Sequence, residues 1–190
     1  MTDRCVRNCD VREYVVYYIN VLETMMCEMI CACKDESISG LFIRQMIPHH
    51  RAGINLAENI LEYTENNRIA NTAHSLIAEN NDEIENLNKA IYCCDNVRNC
   101  GKDLCEYNRR TNMIMKKMFK EMNCIKIDNN LDCNFIRAII PYYRGAVEMA
   151  RTALCYCICE ELCPILKRII ESGEREICRM EEWAECMCCR

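Results

Sequence analysis

The chain has 190 residues, of which 51% are hydrophobic and 28% charged, so it can bury a core and is not compositionally disordered. A net charge of −5, with acidic and basic residues mixed along the chain, gives no basic stripe for a phosphate backbone and argues against nucleic acid as a partner. No window reaches the roughly 18 to 20 apolar residues that span a bilayer, and no signal-peptide core follows Met1, so we expect no membrane partner and a cytoplasmic protein.

The first predicted helix runs from about Val11 to Cys33 and is amphipathic. Its apolar residues recur at alternating spacings of four and three, at Val11, Val15, Tyr18, Leu22, Met25 and Met29. Sulfur is concentrated in its last two turns, and Cys27 and Cys31 share one face at i, i+4 spacing. This end of the helix is therefore a candidate source of soft metal ligands.

The second predicted helix contains the stretch FIRQMIPHHRAGINLA, from Phe42 to Ala57, and serines that precede it are expected N-caps. His49 and His50 fall on adjacent apolar stripes of this helix, and Met46 lies one turn before them. Pro48 removes a backbone hydrogen bond and predicts a kink beside the histidines. We expect this helix to end near residues 63–67.

The third predicted helix runs from about Arg68 to Tyr92, and Glu83 interrupts its apolar seam. A buried carboxylate needs a partner, which we expect to be an arginine, Arg44 or Arg137, or a buried amide. A cysteine-bearing connection, Cys93 to Cys105, leads to a fourth helix that ends near Met122. The sixth helix opens with Pro164, and its seam includes Glu176 and Met180.

An internal repeat relates the two halves of the chain. A shift of 93 positions lays FIRAIIPYYRGAVEMA, residues 135–150, on the histidine stretch, and the match continues without a gap from Tyr14 on Tyr107 to Ala90 on Trp183. Tyr142 and Tyr143 stand where the first repeat has the two histidines. We therefore predict one domain, residues 1–190, made of repeats at about 11–93 and 104–187.

Six predicted helices without a convincing strand indicate an all-α helical bundle, with six helices produced by duplication of three. The simplest arrangement pairs the second and third helices of each repeat into a four-helix core, with each first helix alongside. The sulfur-rich end of the first helix is expected to face the histidine kink.

At the motif Met46-Ile47-Pro48-His49-His50, followed later by Glu83-Ile84, the sequence resembles the ferritin-like proteins of domain of unknown function family 305. The resemblance covers essentially the whole chain and includes the second repeat, with matches at Phe135, Ile140, Pro141, Gly145, Ala146, Met149, Ala150, Glu176, Ile177, Met180 and Trp183. It departs from the family pattern where Leu56 and Leu87 replace methionines and where both histidines of the second repeat are tyrosines.

This resemblance implies a ferritin-like bundle and a metal-binding role, because some relatives are linked to copper binding and tolerance, whereas the family has no established enzymatic activity. Loss of the second histidine pair argues against two equivalent sites. No Glu-x-x-His occurs, so a di-iron oxidase is the least favoured function and we expect no enzyme.

Ligand softness favours copper as Cu(I), although another soft or borderline metal is left open. The candidate ligands are His49, His50, Met46, Met25, Met29, Glu83, Glu176, Met180, Cys27 and Cys31. Three simpler interpretations stay open: the histidines are core residues bonded to a freed carbonyl, the methionines fill gaps in the core, and the glutamates are structural.

The 19 cysteines allow two functions. An odd number of thiols in a reducing compartment favours a protein that sequesters Cu(I) through His, Met and Cys ligands. The alternative is a structural or interaction bundle whose helix ends are stapled by disulfides and which binds no metal. The expected partner is thus a metal ion, and self-association into a homo-oligomer is left open.

Overall fold

The computed structural model describes residues 8–32, 36–94 and 97–188. Within these ranges the chain forms six α-helices and no strand, which confirms the all-α helical bundle. The helices are α1 (Asn8–Cys31), α2 (Ile38–Leu61), α3 (Asn67–Cys94), α4 (Gly101–Asn123), α5 (Leu131–Ala153) and α6 (Leu162–Met187). None of them combines the length and the apolar character that crossing a bilayer requires.

Local sequence explains where the helices begin. Ser37 is the N-cap of α2, and its hydroxyl accepts a hydrogen bond from the Gly40 backbone N–H at 3.3 Å, as the serines before this helix predicted. Asn130 caps α5 in the same way through the Cys133 N–H at 3.1 Å. Pro164 lies in the first turn of α6, where its missing N–H costs no intrahelical bond.

Several predicted boundaries differ from the structure by a few residues. The histidine helix ends at Leu61, before the expected range 63–67, and α3 extends to Cys94. Because α4 begins at Gly101, residues 101–105 of the predicted connection Cys93 to Cys105 belong to a helix. The predicted end of the first helix at Cys33 lies outside the described residues.

The six helices form three layers of two. Helices α2, α3, α6 and α5 follow one another around a four-helix core, and α1 packs on α2 while α4 packs on α5. This is the arrangement that the sequence predicted. The central layer, α2 and α5, is the most enclosed, and both helices continue through a buried proline, Pro48 and Pro141.

The two central helices are antiparallel. The N-terminus of α2 lies beside the loop after α5, because the Ser39 hydroxyl accepts a hydrogen bond from the Cys159 backbone N–H at 3.0 Å. Asn99 adds a bridge at the same end by accepting from the Ile38 N–H at 2.9 Å and donating to the Cys157 carbonyl at 2.7 Å. This register places the middle of α2 directly against the middle of α5.

Two disulfides join helix ends. Cys94 at the end of α3 is bonded to Cys159 in the α5–α6 loop, and Cys133 at the start of α5 is bonded to Cys188 just after α6. Of the 16 cysteines in the described ranges, the other 12 are free thiols, and most of them are exposed. Cys5, Cys33 and Cys189 lie outside those ranges.

Candidate functional site

A cleft of about 420 Å³ opens between α3 and α6 and reaches down to the central layer. Its floor contains His49, His50 and Ala146, together with the two tyrosines Tyr142 and Tyr143. Its rim carries charged side chains of α3 and α6. The structure therefore brings three of the predicted site residues to one cavity, His49, His50 and Glu83.

His49 is fully buried and held in one orientation. Its ring stacks on Tyr142, with 4.0 Å between ring centroids and 18° between planes, and its Nε2 lies 3.2 Å from the Tyr142 carbonyl oxygen. Because a carbonyl only accepts hydrogen bonds, Nε2 carries the proton. Nδ1 is left as a buried lone pair with no hydrogen-bond donor in the described chain. Burial, aided by the neighbouring His50, lowers the pKa of His49 to about 3.

His50 is also buried, and its ring makes an edge contact with His49 at 5.8 Å between centroids. Neither of its ring nitrogens has a hydrogen bond of normal geometry within the described residues. Burial lowers the pKa of His50 to about 4, against a smaller opposing effect of the Asn80 side chain. Both imidazoles are therefore neutral at pH 7, which is the form that binds metals.

Asn80 and Tyr142 form a polar contact above the histidines. The Asn80 amide donates a hydrogen bond to the Tyr142 hydroxyl at 3.0 Å, and burial raises the pKa of Tyr142 far above its ordinary value. Gly53 makes this contact possible, because a Cβ at position 53 would lie 2.2 Å from the Tyr142 hydroxyl and 2.4 Å from the Asn80 amide nitrogen. The close approach of α2, α3 and α5 thus requires glycine here.

Ion pairs cross the rim of the cleft. Arg168 on α6 binds both carboxylate oxygens of Glu83 on α3, at 2.6 Å and 3.1 Å, and Glu83 is almost fully buried. The expected pairing of a seam glutamate with Arg137 is wrong, because Arg137 pairs with Asp128. Glu176, the other seam glutamate, pairs with Arg179 on its own helix.

Two further carboxylates, those of Glu79 and Glu176, act on Tyr143. Burial raises the pKa of Glu79, and the nearby charge of Glu176 raises it further. The same two carboxylates also act, after burial, to raise the pKa of Tyr143 well above its ordinary value. The charge of Glu176 therefore acts on two residues of the cleft, Glu79 and Tyr143, although Glu176 does not line it.

The predicted methionine ligands lie in different places. Met46 is fully buried one turn before the histidines on α2 and does not line the cleft. Met25 instead lines a groove between α1 and α2 with Pro48 and Ala52, on another face of α2. Met29 and Met180 are fully buried core residues of α1 and α6.

The predicted thiol ligands, Cys27 and Cys31, are exposed on α1. A hydrogen bond to Cys31 raises the pKa of the Cys27 thiol. Among residues 8–32, 36–94 and 97–188, no three His, Cys, Asp or Glu side chains are grouped so that they could hold one metal ion. Any ion at the histidines would therefore be bound by few of these groups, with other donors completing the site.

The family model described as "Domain of unknown function (DUF305)" matches residues 20–91 and 41–184. The chain belongs to this family. The sequence of the chain matches no curated protein, and it matches no solved structure.

Sequence reasoning on this DUF305 chain missed two of the residues that shape the cleft. Arg168 is half-exposed, with 52% of its side chain accessible, and nothing in the periodicity of α6 marks it as a partner of Glu83. Glu79 is polar and falls outside the apolar seam of α3. Asn80, which interrupts that seam, was a detectable signal, because a buried amide requires a hydrogen-bond partner.

Proposed function

We propose that this chain is a metal-binding protein in which His49 and His50 bind a soft or borderline ion, with Cu(I) as the best fit. The observation that carries the proposal is the set of three buried ring nitrogens, Nδ1 of His49 and both nitrogens of His50, without hydrogen bonds of normal geometry in the described chain. Each buried polar atom left without a partner costs about 1–3 kcal/mol. A bound ion would remove part of that cost.

The protonation state of the histidines favours metal binding. A pKa of about 3 for His49 and about 4 for His50 means that no proton has to leave before an ion binds at neutral pH. Tyr142 fixes the tautomer of His49 and leaves Nδ1 available. An orienting hydrogen bond on the other ring nitrogen is the usual arrangement of a metal-binding histidine.

The available donors favour a soft ion over a hard one. Glu83, the nearly buried carboxylate of the cleft, is engaged by Arg168 through two hydrogen bonds. Two neutral imidazoles, with Met46 one turn earlier on α2 as a predicted thioether ligand, suit Cu(I), which accepts few ligands, better than Mg²⁺ or Ca²⁺. Met25, Met29, Met180, Glu176 and the pair Cys27 and Cys31 do not line this cleft, and their role as metal ligands stays a prediction.

We also infer that the chain is a duplicated, ferritin-like bundle. In support, the groove between α1 and α2 and the groove between α4 and α5 are lined at positions 93 residues apart: Met25 and Met118, Pro48 and Pro141, Arg51 and Arg144, and Ala52 and Gly145. The paired helices are also of similar length, 24 and 23, 24 and 23, and 28 and 26 residues.

Anaerobic loading with Cu(I) tests the proposed site. After removal of weakly bound copper with a competing chelator, we expect at least one tightly bound ion per chain, and one fewer in the double variant His49→Ala, His50→Ala. The matched control is His74→Ala, which removes the third and exposed histidine and should leave the stoichiometry unchanged. Equal stoichiometry in the wild type and the double variant would refute the histidine site.

The second candidate is a structural or interaction bundle that binds no metal, and the disulfides Cys94–Cys159 and Cys133–Cys188 favour it. Disulfides are rare in a reducing cytosol, so they also oppose the predicted cytoplasmic location, which stays a prediction. Thiol counting on acid-quenched protein under denaturation separates the cases. Nearly complete reduction supports metal sequestration in a reducing compartment, whereas two or more disulfides without a histidine-dependent ion support the structural bundle.

A further inference from the structure

The outer face of α1 carries an apolar stripe that no described part of the chain covers. Its large apolar side chains are between 39% and 54% exposed and follow at spacings of three, seven and four along the helix: Val16, Ile19, Met26 and Ile30. Glu23 falls in the middle of this stripe. Such a stripe is the surface that a helix normally buries against another helix.

The outer face of α4, in the same layer, is basic. α1 contains four acidic residues and one basic residue, whereas α4 contains six basic residues and three acidic ones. Lys116 and Lys120 on α4 are exposed and, like Glu23 on α1, take part in no ion pair within the described chain. Met113, which is 60% exposed, adds an apolar side chain to this face.

The two helices of this outer layer run in opposite directions and touch at Tyr18. The Tyr18 hydroxyl donates a hydrogen bond to the Met122 carbonyl at 2.7 Å, so the first half of α1 is level with the end of α4. Both helices rise by the same distance per residue. Moving from Tyr18 toward the end of α1, and from Met122 toward the start of α4, therefore brings Glu23 level with Lys116 and Lys120. The unpaired acid of α1 and the unpaired bases of α4 are therefore at the same height in the layer.

We propose that the outer face of α1 and α4 is the interface of a homodimer, in which α1 of one chain packs on α4 of a second chain. A twofold axis parallel to the helices produces this pairing and leaves the position of every residue along the helix direction unchanged. Glu23 of each chain then lies opposite Lys116 and Lys120 of the other. The apolar stripe of α1 packs on the aliphatic stems of these lysines and on Met113.

Charge selects this arrangement over the alternatives. A twofold axis perpendicular to the helices would place acidic α1 on α1 and basic α4 on α4, and like charges would then face each other. The size is also sufficient. A helix of 24 residues is about 36 Å long, and two adjacent helices present roughly 700 Å² per chain, which is the size of a standard interface.

Sedimentation velocity at micromolar concentrations tests the dimer. We expect the wild type to sediment at twice the chain mass of 22.3 kDa. Both Glu23→Lys and the double variant Lys116→Glu, Lys120→Glu should sediment as single chains. Combining all three substitutions exchanges the charges across the interface and should restore the dimer. A non-reducing gel verifies that no intermolecular disulfide holds the two chains together.

The charge-reversal variants have a matched control in Glu171→Lys, which reverses an exposed charge on α6 and should leave the dimer intact. All the substituted side chains are exposed, and circular dichroism verifies that helicity is retained. A wild type that is monomeric throughout this range would overturn the proposal. So would a dimer that is unaffected by the charge reversals, or a triple variant that stays monomeric, since either result would place any contact elsewhere.

Discussion

The histidine pair of α2 and the tyrosine pair of α5 occupy matching places in the central layer, yet the hydrogen bonding of their polar atoms differs. Tyr142 has its hydroxyl bonded to Asn80, and its backbone carbonyl accepts from His49. His50 has no hydrogen bond of normal geometry within the described chain, and His49 has only the one to Tyr142. Both pairs are buried.

The same helical position thus carries a pair with a hydrogen-bonded hydroxyl in one half and, within the described chain, a pair with ring nitrogens that lack hydrogen bonds in the other. The side chains of the tyrosine pair fill core space. Tyr142 also accepts a hydrogen bond from Asn80 and stacks on the ring of His49. The histidine pair leaves buried ring nitrogens without hydrogen bonds in the described chain, an arrangement that is costly unless a ligand uses them. The tyrosines of the second half thus support the histidines of the first.

The largest expected difference between the pairs is their response to acid. In the unfolded chain histidine titrates near pH 6.5, whereas folded His49 and His50 stay neutral down to about pH 3 and about pH 4. Between these limits the unfolded state binds more protons, so the free energy of unfolding falls as pH falls, by up to about 1.4 kcal/mol per pH unit for each histidine. The tyrosine pair contributes nothing in this range.

Urea denaturation between pH 7 and pH 4.5 measures this effect when the wild type is compared with His49→Gln, His50→Gln. The difference between the two proteins isolates the histidines from the carboxylates, which titrate in both. We expect the wild type to lose stability more steeply as the pH falls. Parallel curves would show that the imidazoles are not kept neutral by burial.

Removing the close approach at Gly53 is expected to have the next largest effect. Gly53→Ala puts a methyl group onto the hydrogen-bonded Tyr142 hydroxyl and Asn80 amide, which belong to two other helices. We expect a loss of about 3 kcal/mol of unfolding free energy in thermal or urea denaturation, despite the better helix propensity of alanine.

Two other glycines provide matched controls for that substitution. Gly145→Ala meets the flexible side chain of Met118 and should cost about 1 kcal/mol. A Cβ at position 101 would have no described neighbour within 4 Å, so Gly101→Ala should change stability by less than about 0.5 kcal/mol. A cost at Gly53 no larger than at Gly101 would contradict the packing of α2, α3 and α5 around Tyr142.

Tyr142→Phe makes the second pair resemble the first by leaving a buried polar atom without its partner. The Asn80 amide loses its acceptor, so we expect a loss of about 1–2 kcal/mol of unfolding free energy by urea denaturation. Tyr92→Phe is the control, because Tyr92 is 81% exposed and should change stability by less than about 0.5 kcal/mol. Equal effects at the two positions would argue that Asn80 has another acceptor.

The smallest expected effect is at the rim. Glu83→Gln keeps the size of the side chain and removes its charge, but Arg168 is half-exposed, so solvent screening should hold the loss below about 1 kcal/mol. Glu85→Gln, in the fully exposed pair with Lys89, should be neutral. A loss well above that of Tyr142→Phe would show that the ion pair between α3 and α6 stabilises the bundle more than the polar contact between α3 and α5.

Periodicity and capping residues were sufficient for the architecture, because burying six amphipathic faces leaves few arrangements. Ser37 and the apolar stripes of α2 marked the central helix, and the histidines were recognisable within it. The sequence could not predict which face of α2 packs on α1, because the apolar surface of α2 is broad. Met25 therefore lies against Pro48 and not in the cleft with the histidines.

Pairings between distant residues were beyond sequence reasoning for a different reason. The partner of Glu83 depends on the relative rotation of α3 and α6, which no single helix specifies, and Arg168 was missed accordingly. With 19 cysteines the number of alternative disulfide pairings is very large, so spacing could not select Cys94–Cys159. Both pairings depend on three-dimensional proximity alone.

That disulfide has a consequence for how the halves stay together. Arg98, in the segment between α3 and α4, has 64% of its side chain exposed and is accessible to trypsin. A single cut there would leave Cys94 in the amino-terminal fragment and Cys159 in the carboxy-terminal one, so the nicked protein would migrate as one species until a reductant separated it. The covalent continuity of the molecule therefore does not depend on the peptide connecting its two halves.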